Sequence, residues 1–194
     1  GVHIFQWMYG CEWDDEIDER NWFCQWGYDG EDFISFKLKE EIYVAAKREA
    51  EIITHRWNQN RALIEQQKYY YQICIKWLQK FVDYGRSSLM RTELPSVSLL
   101  QKEPSSPVTC MATGFYPGGA TLSWRRGEEE LHEEVEPGEI LPNPDGTFQM
   151  SAALDLSSVP PEDWSSYKCV FQLSGGQEVP TSLDRKRITT NWEG

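Results

Sequence analysis

Five cysteines, Cys11, Cys24, Cys74, Cys110 and Cys169, do most to limit what this 194-residue chain can fold into. None lies in a Cys-x-x-Cys or Cys/His spacing that would hold zinc. Two long-range disulfides plus one spare thiol is the natural arithmetic, and it implies an oxidising compartment. Pairing Cys11 with Cys74 would tie the first strand to a helix, and closing that loop contributes about 4 kcal/mol by loop entropy. The parity of the first strand fits such a tie. HIFQWMYGC alternates, with Phe5, Trp7, Tyr9 and Cys11 at odd positions and Ile4, Gln6 and Met8 at even ones. Period two is the signature of a strand. Neither face reads as plain solvent exposure, so something must cover both.

Residues 1–92 follow one grammar. WFCQWGY repeats the alternation, with Trp22, Cys24, Trp26 and Tyr28 on one face. Asp29-Gly30 is a hairpin turn signal. DFISF resumes as a third strand, and a short fourth is expected near Tyr43. From Lys47 to Tyr84 there is neither Pro nor Gly, and Cys74, Trp77, Leu78 and Phe81 fall at i, i+3, i+4 and i+7. The expectation is four antiparallel strands carrying one long, broken helix that Gly85 stops.

Residues 93–194 change register after a linker at Arg91–Pro95. Short alternating runs (Val97–Leu100, Val108–Ala112, Thr121–Trp124, Gln149–Leu156, Tyr167–Leu173) are separated by Pro, Gly and Ser. That rhythm suggests an all-β sandwich. Cys110 and Cys169 lie 59 apart, Trp124 falls 14 after the first, and Tyr167 sits two before the second. This is the immunoglobulin arrangement of bridge, packed tryptophan and tyrosine corner. The fold class expected is α+β, a half platform over residues 1–92 followed by a constant-type immunoglobulin domain over 93–194.

Composition excludes several function classes. A net charge of −12 argues against nucleic acid, whose phosphates need a basic face. No run of about 18 apolar residues offers a membrane span. The chain starts at Gly1 without a charged-then-apolar leader, as a mature segment or a piece of a longer chain would. His3, His55 and His132 are scattered, and no phosphate loop or nucleophile elbow occurs. We expect no enzyme, no metal and no cofactor.

The stretches QWMYGC, GYDGEDFIS, THRWN, CIKWLQKFVDYG, TCMATGFYPGGATLSW, DGTFQ and YKCVFQ run in one order along nearly the whole chain. Together they resemble the heavy chain of MHC class I molecules, non-mammalian in wording, from the second extracellular domain onward. The first domain, which supplies the other half of the platform, lies outside this sequence. The resemblance implies antigen presentation at the cell surface, or from a secreted form. It pairs Cys11 with Cys74 and Cys110 with Cys169, and leaves Cys24 free and buried.

It further implies a groove for a short peptide, floored by Phe5, Trp7, Tyr9, Cys24, Trp26, Phe33 and Tyr43. Trp57 matches a tryptophan that reaches a peptide carbonyl, and Arg56 matches a lysine that binds the peptide's terminal carboxylate. Tyr69, Trp77 and Phe81 match the pocket for the peptide's amino end. Two residues depart from the pattern: Ile53 replaces a threonine, and Phe81 replaces a tyrosine that bonds the terminal amine. Gln6, Met8, Gln25, Asp29, Gly30 and Asp32 match contacts with beta-2-microglobulin. The acidic run Arg126–Glu136, with Glu128, Glu129, Glu130, Glu133 and Glu134, matches the loop gripped by the cytotoxic T-cell co-receptor; the T-cell receptor is the other expected partner. Without the family, a solvated acidic loop is an equal reading. The rival function is a class I-like receptor or ligand that presents no peptide. A third possibility has two copies pairing their sheet edges.

Overall fold

The computed structural model describes residues 1–191. The chain divides into two compact units, Gly1–Arg86 and Ser87–Gly194. In the first, four strands form an antiparallel sheet in chain order: β1 (Phe5–Asp14), β2 (Glu19–Tyr28), β3 (Glu31–Lys37) and β4 (Ile42–Ala45). The β2–β3 turn is Asp29-Gly30, both at positive φ (48° and 81°), the pairing that a two-residue hairpin demands. A 3₁₀ turn at Arg48–Ala50 leads into α1 (Glu51–Asn58), and α2 (Arg61–Tyr84) follows.

The break between the helices has a local cause. Asn60 adopts extended φ/ψ, and its side chain accepts from the Ala62 N–H, capping α2. At the far end the Gly85 N–H donates to the Phe81 carbonyl at 2.9 Å. Gly85 sits at φ −94°, outside the left-handed region, so the chain continues into one more turn, α3 (Arg86–Leu89).

The core of this unit lies between sheet and helices. Trp22, Cys24, Ile34, Phe36, Tyr43, Ala50 and Ile64 are buried there. These strand residues share the face of the odd β1 positions, through the register Trp7↔Trp26, Tyr9↔Cys24 and Cys11↔Trp22. Cys11 and Cys74 form the disulfide that clamps α2 to β1. Gln67 is buried on α2 and accepts from the Trp22 indole N–H at 3.1 Å, so neither group loses a partner on leaving water. Asn58 latches α1 to β4: its amide oxygen accepts from the Tyr43 N–H at 2.7 Å and its amide nitrogen donates to the Tyr43 carbonyl at 2.9 Å.

The second unit is a two-sheet sandwich. Its strands are β5 (Ser96–Gln101), β6 (Val108–Phe115), β7 (Ala120–Arg126), β8 (Glu129–Glu130), β9 (Val135–Pro137), β10 (Leu141–Pro142), β11 (Phe148–Leu154), β12 (Tyr167–Leu173), β13 (Glu178–Ser182) and β14 (Ile188–Thr190). One sheet runs β10-β11-β6-β5-β14, with β9 also on β11; the other runs β13-β12-β7-β8. Cys110 on β6 and Cys169 on β12 bridge the two sheets. Trp124 is fully buried in the same cluster as that bridge, and its indole donates to the Ala152 carbonyl at 2.9 Å. The architecture is therefore α+β, with helices on one face of an antiparallel sheet followed by an immunoglobulin-type sandwich.

The acidic run is not the continuous loop that its composition suggests. Glu129 and Glu130 form β8 against Arg126 and Arg125, Val135 opens β9, and the Glu128 carboxylate accepts from Lys168 Nζ at 2.9 Å. Backbone pairing with β7 places Glu129 and Glu130 at the sheet edge, and Lys168 of β12 holds Glu128 beside them. Glu133 and Glu134 remain in the connecting turn, exposed.

Candidate binding groove

On the helix-facing side of the first unit's sheet, aromatic side chains form a continuous layer. Trp7 stacks on Trp26 (5.8 Å, 5° between planes) and lies 4.5 Å from Tyr9. Trp26 in turn meets Trp57 of α1 at 5.1 Å and Tyr43 at 5.9 Å. Phe33 joins the layer through a register shift between Trp26 and Gly27. The extra residue turns Phe33 toward Phe5 (6.2 Å) and Tyr28 (5.7 Å), whereas strict alternation from Ile34 would have aimed it away. The free thiol Cys24 is buried in the same layer. Its sulfur accepts from the Trp7 indole at 3.3 Å, and burial pushes its pKa up, so the thiolate is suppressed.

Between this floor and α2 an open cleft of about 470 Å³ is lined by Trp7, Tyr9, Gly10, Trp22, Tyr70, Ile73 and Cys74. Tyr70 and Ile73 begin a row on one side of α2 that continues through Trp77, Phe81 and Tyr84. Trp77 and Phe81 stack at 5.7 Å, and Phe81 meets Tyr84 edge-on at 6.4 Å. Helix contacts with the strands run in order. The Tyr43 hydroxyl of β4 donates to the Leu63 carbonyl, Gln67 meets Trp22 of β2, and Cys74 meets Cys11 of β1. β1 is the edge strand, and past the Cys74 tie the helix runs on to Tyr84, with Ile75 still buried and its later aromatic residues exposed. Exposure rises along this stretch, from 49% at Trp77 to 61% at Phe81 and 74% at Tyr84.

The opposite face is built differently. Gln6 lies across from Gly27 and Met8 across from Gln25, and Met8 is 57% exposed. Phe23 crosses Gly10 so closely that a Cβ there would come within 2.6 Å of its ring. Asp32 pairs with Gly27. Asp29, in the turn, spends both carboxylate oxygens on its own chain, one 2.8 Å from His3 Nδ1 and one accepting from the Ile4 N–H at 2.8 Å. Those two bonds, the first foremost, hold its pKa below the usual carboxylate range.

Comparison with known proteins fits this geometry. Residues 1–89 match the family model "Class I Histocompatibility antigen, domains alpha 1 and 2", and residues 94–175 match "Immunoglobulin C1-set domain". The chain is 35% identical over 194 residues to cattle (Bos taurus) "Major histocompatibility complex class I-related protein 1", covering 94% of this chain and 56% of that protein. It is 33% identical over 171 residues to chicken (Gallus gallus) "Class I histocompatibility antigen, F10 alpha chain", covering 87% of this chain and 48% of that one. The chain belongs to the MHC class I-type heavy chains. It spans about half the length of these curated relatives.

Within this class I-type chain, the structure gathers Phe5, Trp7, Tyr9, Cys24, Trp26, Phe33, Tyr43 and Trp57 into one aromatic layer. Ile53 packs against its core, while Arg56 is exposed on α1 and Tyr69 on α2. Sequence reasoning passed over Trp22, Tyr28, Tyr70 and Ile73 as site residues. The spacing i, i+3, i+7 of Tyr70, Ile73 and Trp77 carried that signal on the helix, and parity with Trp26 carried it for Trp22 and Tyr28. Among the described residues no group of three or more His, Cys, Asp or Glu side chains is arranged to hold a metal. Likewise no described helix is long and apolar enough to cross a membrane.

Proposed function

We propose that this chain acts in antigen presentation, as the part of a class I heavy chain that binds beta-2-microglobulin beneath its sheet. With the family's first domain it holds a short peptide above. The observation that carries this reading is the two-sidedness of one four-stranded layer. One face is aromatic and roofed by helices; the other exposes Gln6, Met8 and Gln25, an amide-rich, soft apolar surface suited to another protein. The run of α2 past Cys74 supports a continuation of the sheet. At 1.5 Å per residue, the ten residues after Cys74 lengthen the helix by roughly 15 Å, and their exposed aromatic row offers apolar surface for such a continuation to cover.

The mechanism is binding without catalysis. Ligand side chains are sorted by the floor, where Trp7 and Trp26 fill space and shrink the pockets, and ligand polar groups meet Tyr69, Trp57 and Arg56. Arg56 offers a bidentate partner to a terminal carboxylate. Asp29 and Gly30 hold the hairpin that flanks the beta-2-microglobulin face, and Glu128, Glu129, Glu130, Glu133 and Glu134 form a negative edge that steers a basic co-receptor. The two disulfides suit a cell-surface or secreted setting.

A second reading, a class I-like receptor or ligand that presents no peptide, is favoured by Phe81 and Ile53, which bring no hydroxyl to the ends of the groove. The name "class I-related protein" among the relatives points the same way. Ligands eluted from a heavy chain refolded with beta-2-microglobulin and a first domain decide between the two. Short peptides of narrow length range support presentation; an empty groove or lipid supports the rival.

A further inference from the structure

Adjacent basic residues occur at three places in this acidic chain: Lys47-Arg48, Arg125-Arg126 and Arg185-Lys186-Arg187. An endoprotease with neighbouring acidic subsites reads such pairs, and it takes its substrate as an extended strand laid along its own cleft. The first two places deny it that. The Lys47 ammonium is paired with Glu31, and the chain at Arg48 enters a 3₁₀ turn whose Ala50 is fully buried. Arg125 and Arg126 lie in β7, paired on one side with β12 and on the other with β8. Arg125 also donates to both carboxylate oxygens of Glu178, at 3.0 and 2.7 Å.

The third place is a turn between the two sheets. Leu183 is buried before it and Ile188 packs on the sandwich core after it, while Arg185, Lys186 and Arg187 are exposed. Short-range hydrogen bonds hold the turn. The Asp184 carboxylate accepts from the Lys186 N–H at 3.0 Å, the Asp184 carbonyl from the Arg187 N–H at 2.9 Å, and the Arg185 carbonyl from the Ile188 N–H. The Arg185 guanidinium lies 5.4 Å from the centre of the Trp164 ring. Beyond the turn, β14 is three residues laid parallel on the edge of β5, from Ile188↔Leu99 to Thr190↔Gln101. So short an edge strand opens at far lower cost than β7, which is held on both sides. Both β13 and β14 extend past residue 175, where the C1-set match stops.

We propose that the Arg187–Ile188 bond is a processing site for an endoprotease specific for paired basic residues. Water adds across that amide: the C–N bond breaks, the hydroxyl ends on the Arg187 carbonyl carbon and a proton on the Ile188 nitrogen. Residues from Ile188 onward then leave, β14 with them, and the outer edge of β5 is bared as a template for strand pairing.

The test exposes the folded full chain to such an endoprotease, with intact mass and amide hydrogen exchange as readouts. One early cut should leave residues 1–187, with the other two basic pairs intact and exchange accelerated across β5. Lys186→Gln with Arg187→Gln, two exposed positions outside the core, should abolish that cut, while the unfolded variant is still cut at the other two pairs. A first cut at Lys47-Arg48 or Arg125-Arg126 overturns the proposal. So does an intact folded chain when the unfolded chain is cut, or a cut after Arg187 that leaves exchange in β5 unchanged.

Discussion

Single residues in the groove unit carry sharply different burdens. Gln67 and Trp22 satisfy each other inside the core, so Gln67→Leu strands the buried indole N–H. The expected cost is about 1–3 kcal/mol, read as a lower denaturant midpoint for the unit's unfolding by tryptophan fluorescence. Cys24 is the opposite case, a thiol whose burial suppresses its own chemistry. At pH 8 the native chain should label slowly at Cys24 with iodoacetamide, and the denatured, unreduced chain should take up one equivalent promptly. Fast native labelling would mean that the floor is open at Cys24. Neither residue's partner was legible beforehand. Cys24 was placed on the aromatic face by alternation, but the Gln67–Trp22 bond joins positions 45 apart, which no local pattern encodes.

At the scale of elements, α1 and α2 are held by different devices. The Cys11–Cys74 bridge fixes α2, and its removal by Cys11→Ala with Cys74→Ala should lower stability by about 2–5 kcal/mol. α1 depends on Asn58, whose amide imitates a strand neighbour for Tyr43. Asn58→Ala should loosen α1 alone, seen as faster amide hydrogen exchange across 51–58 with α2 unchanged. The period-two strands and the long helix were readable because their hydrophobic patterns are regular over many residues. Phe33 was placed on the floor by family resemblance alone, because the register shift at Trp26/Gly27 breaks the parity that would have located it. In the sandwich, β13 has no readable alternation, since Pro180 interrupts its pattern. It proves to be an edge strand, where a missing N–H is tolerated. β8 was hidden by its charge, two glutamates that read as loop until the β7 arginines beside them are seen.

Several exposed carboxylates, spread over both units, are tied to fixed partners. Asp29 is held by His3, Glu41 by Lys68, Glu178 by Arg125 and Asp145 by Thr147, and each has its pKa lowered. Their contribution is therefore complete above the ordinary carboxylate range and is lost as pH falls through the depressed folded-state values. Thermal melts should be flat from pH 7 to about 5 and fall below about 4. A melting temperature that rises on acidification would contradict these pairings. The larger claim is that one thin sheet serves two clients, a ligand on the Trp7 side and a second polypeptide on the Met8 side. Oxidative footprinting of adjacent residues tests it directly, in the assembled heavy chain titrated with beta-2-microglobulin. Met8 should become protected from sulfoxide formation while Trp7 stays as reactive as before. Met8 remaining fully reactive at saturation, or Trp7 being protected along with it, would contradict the account.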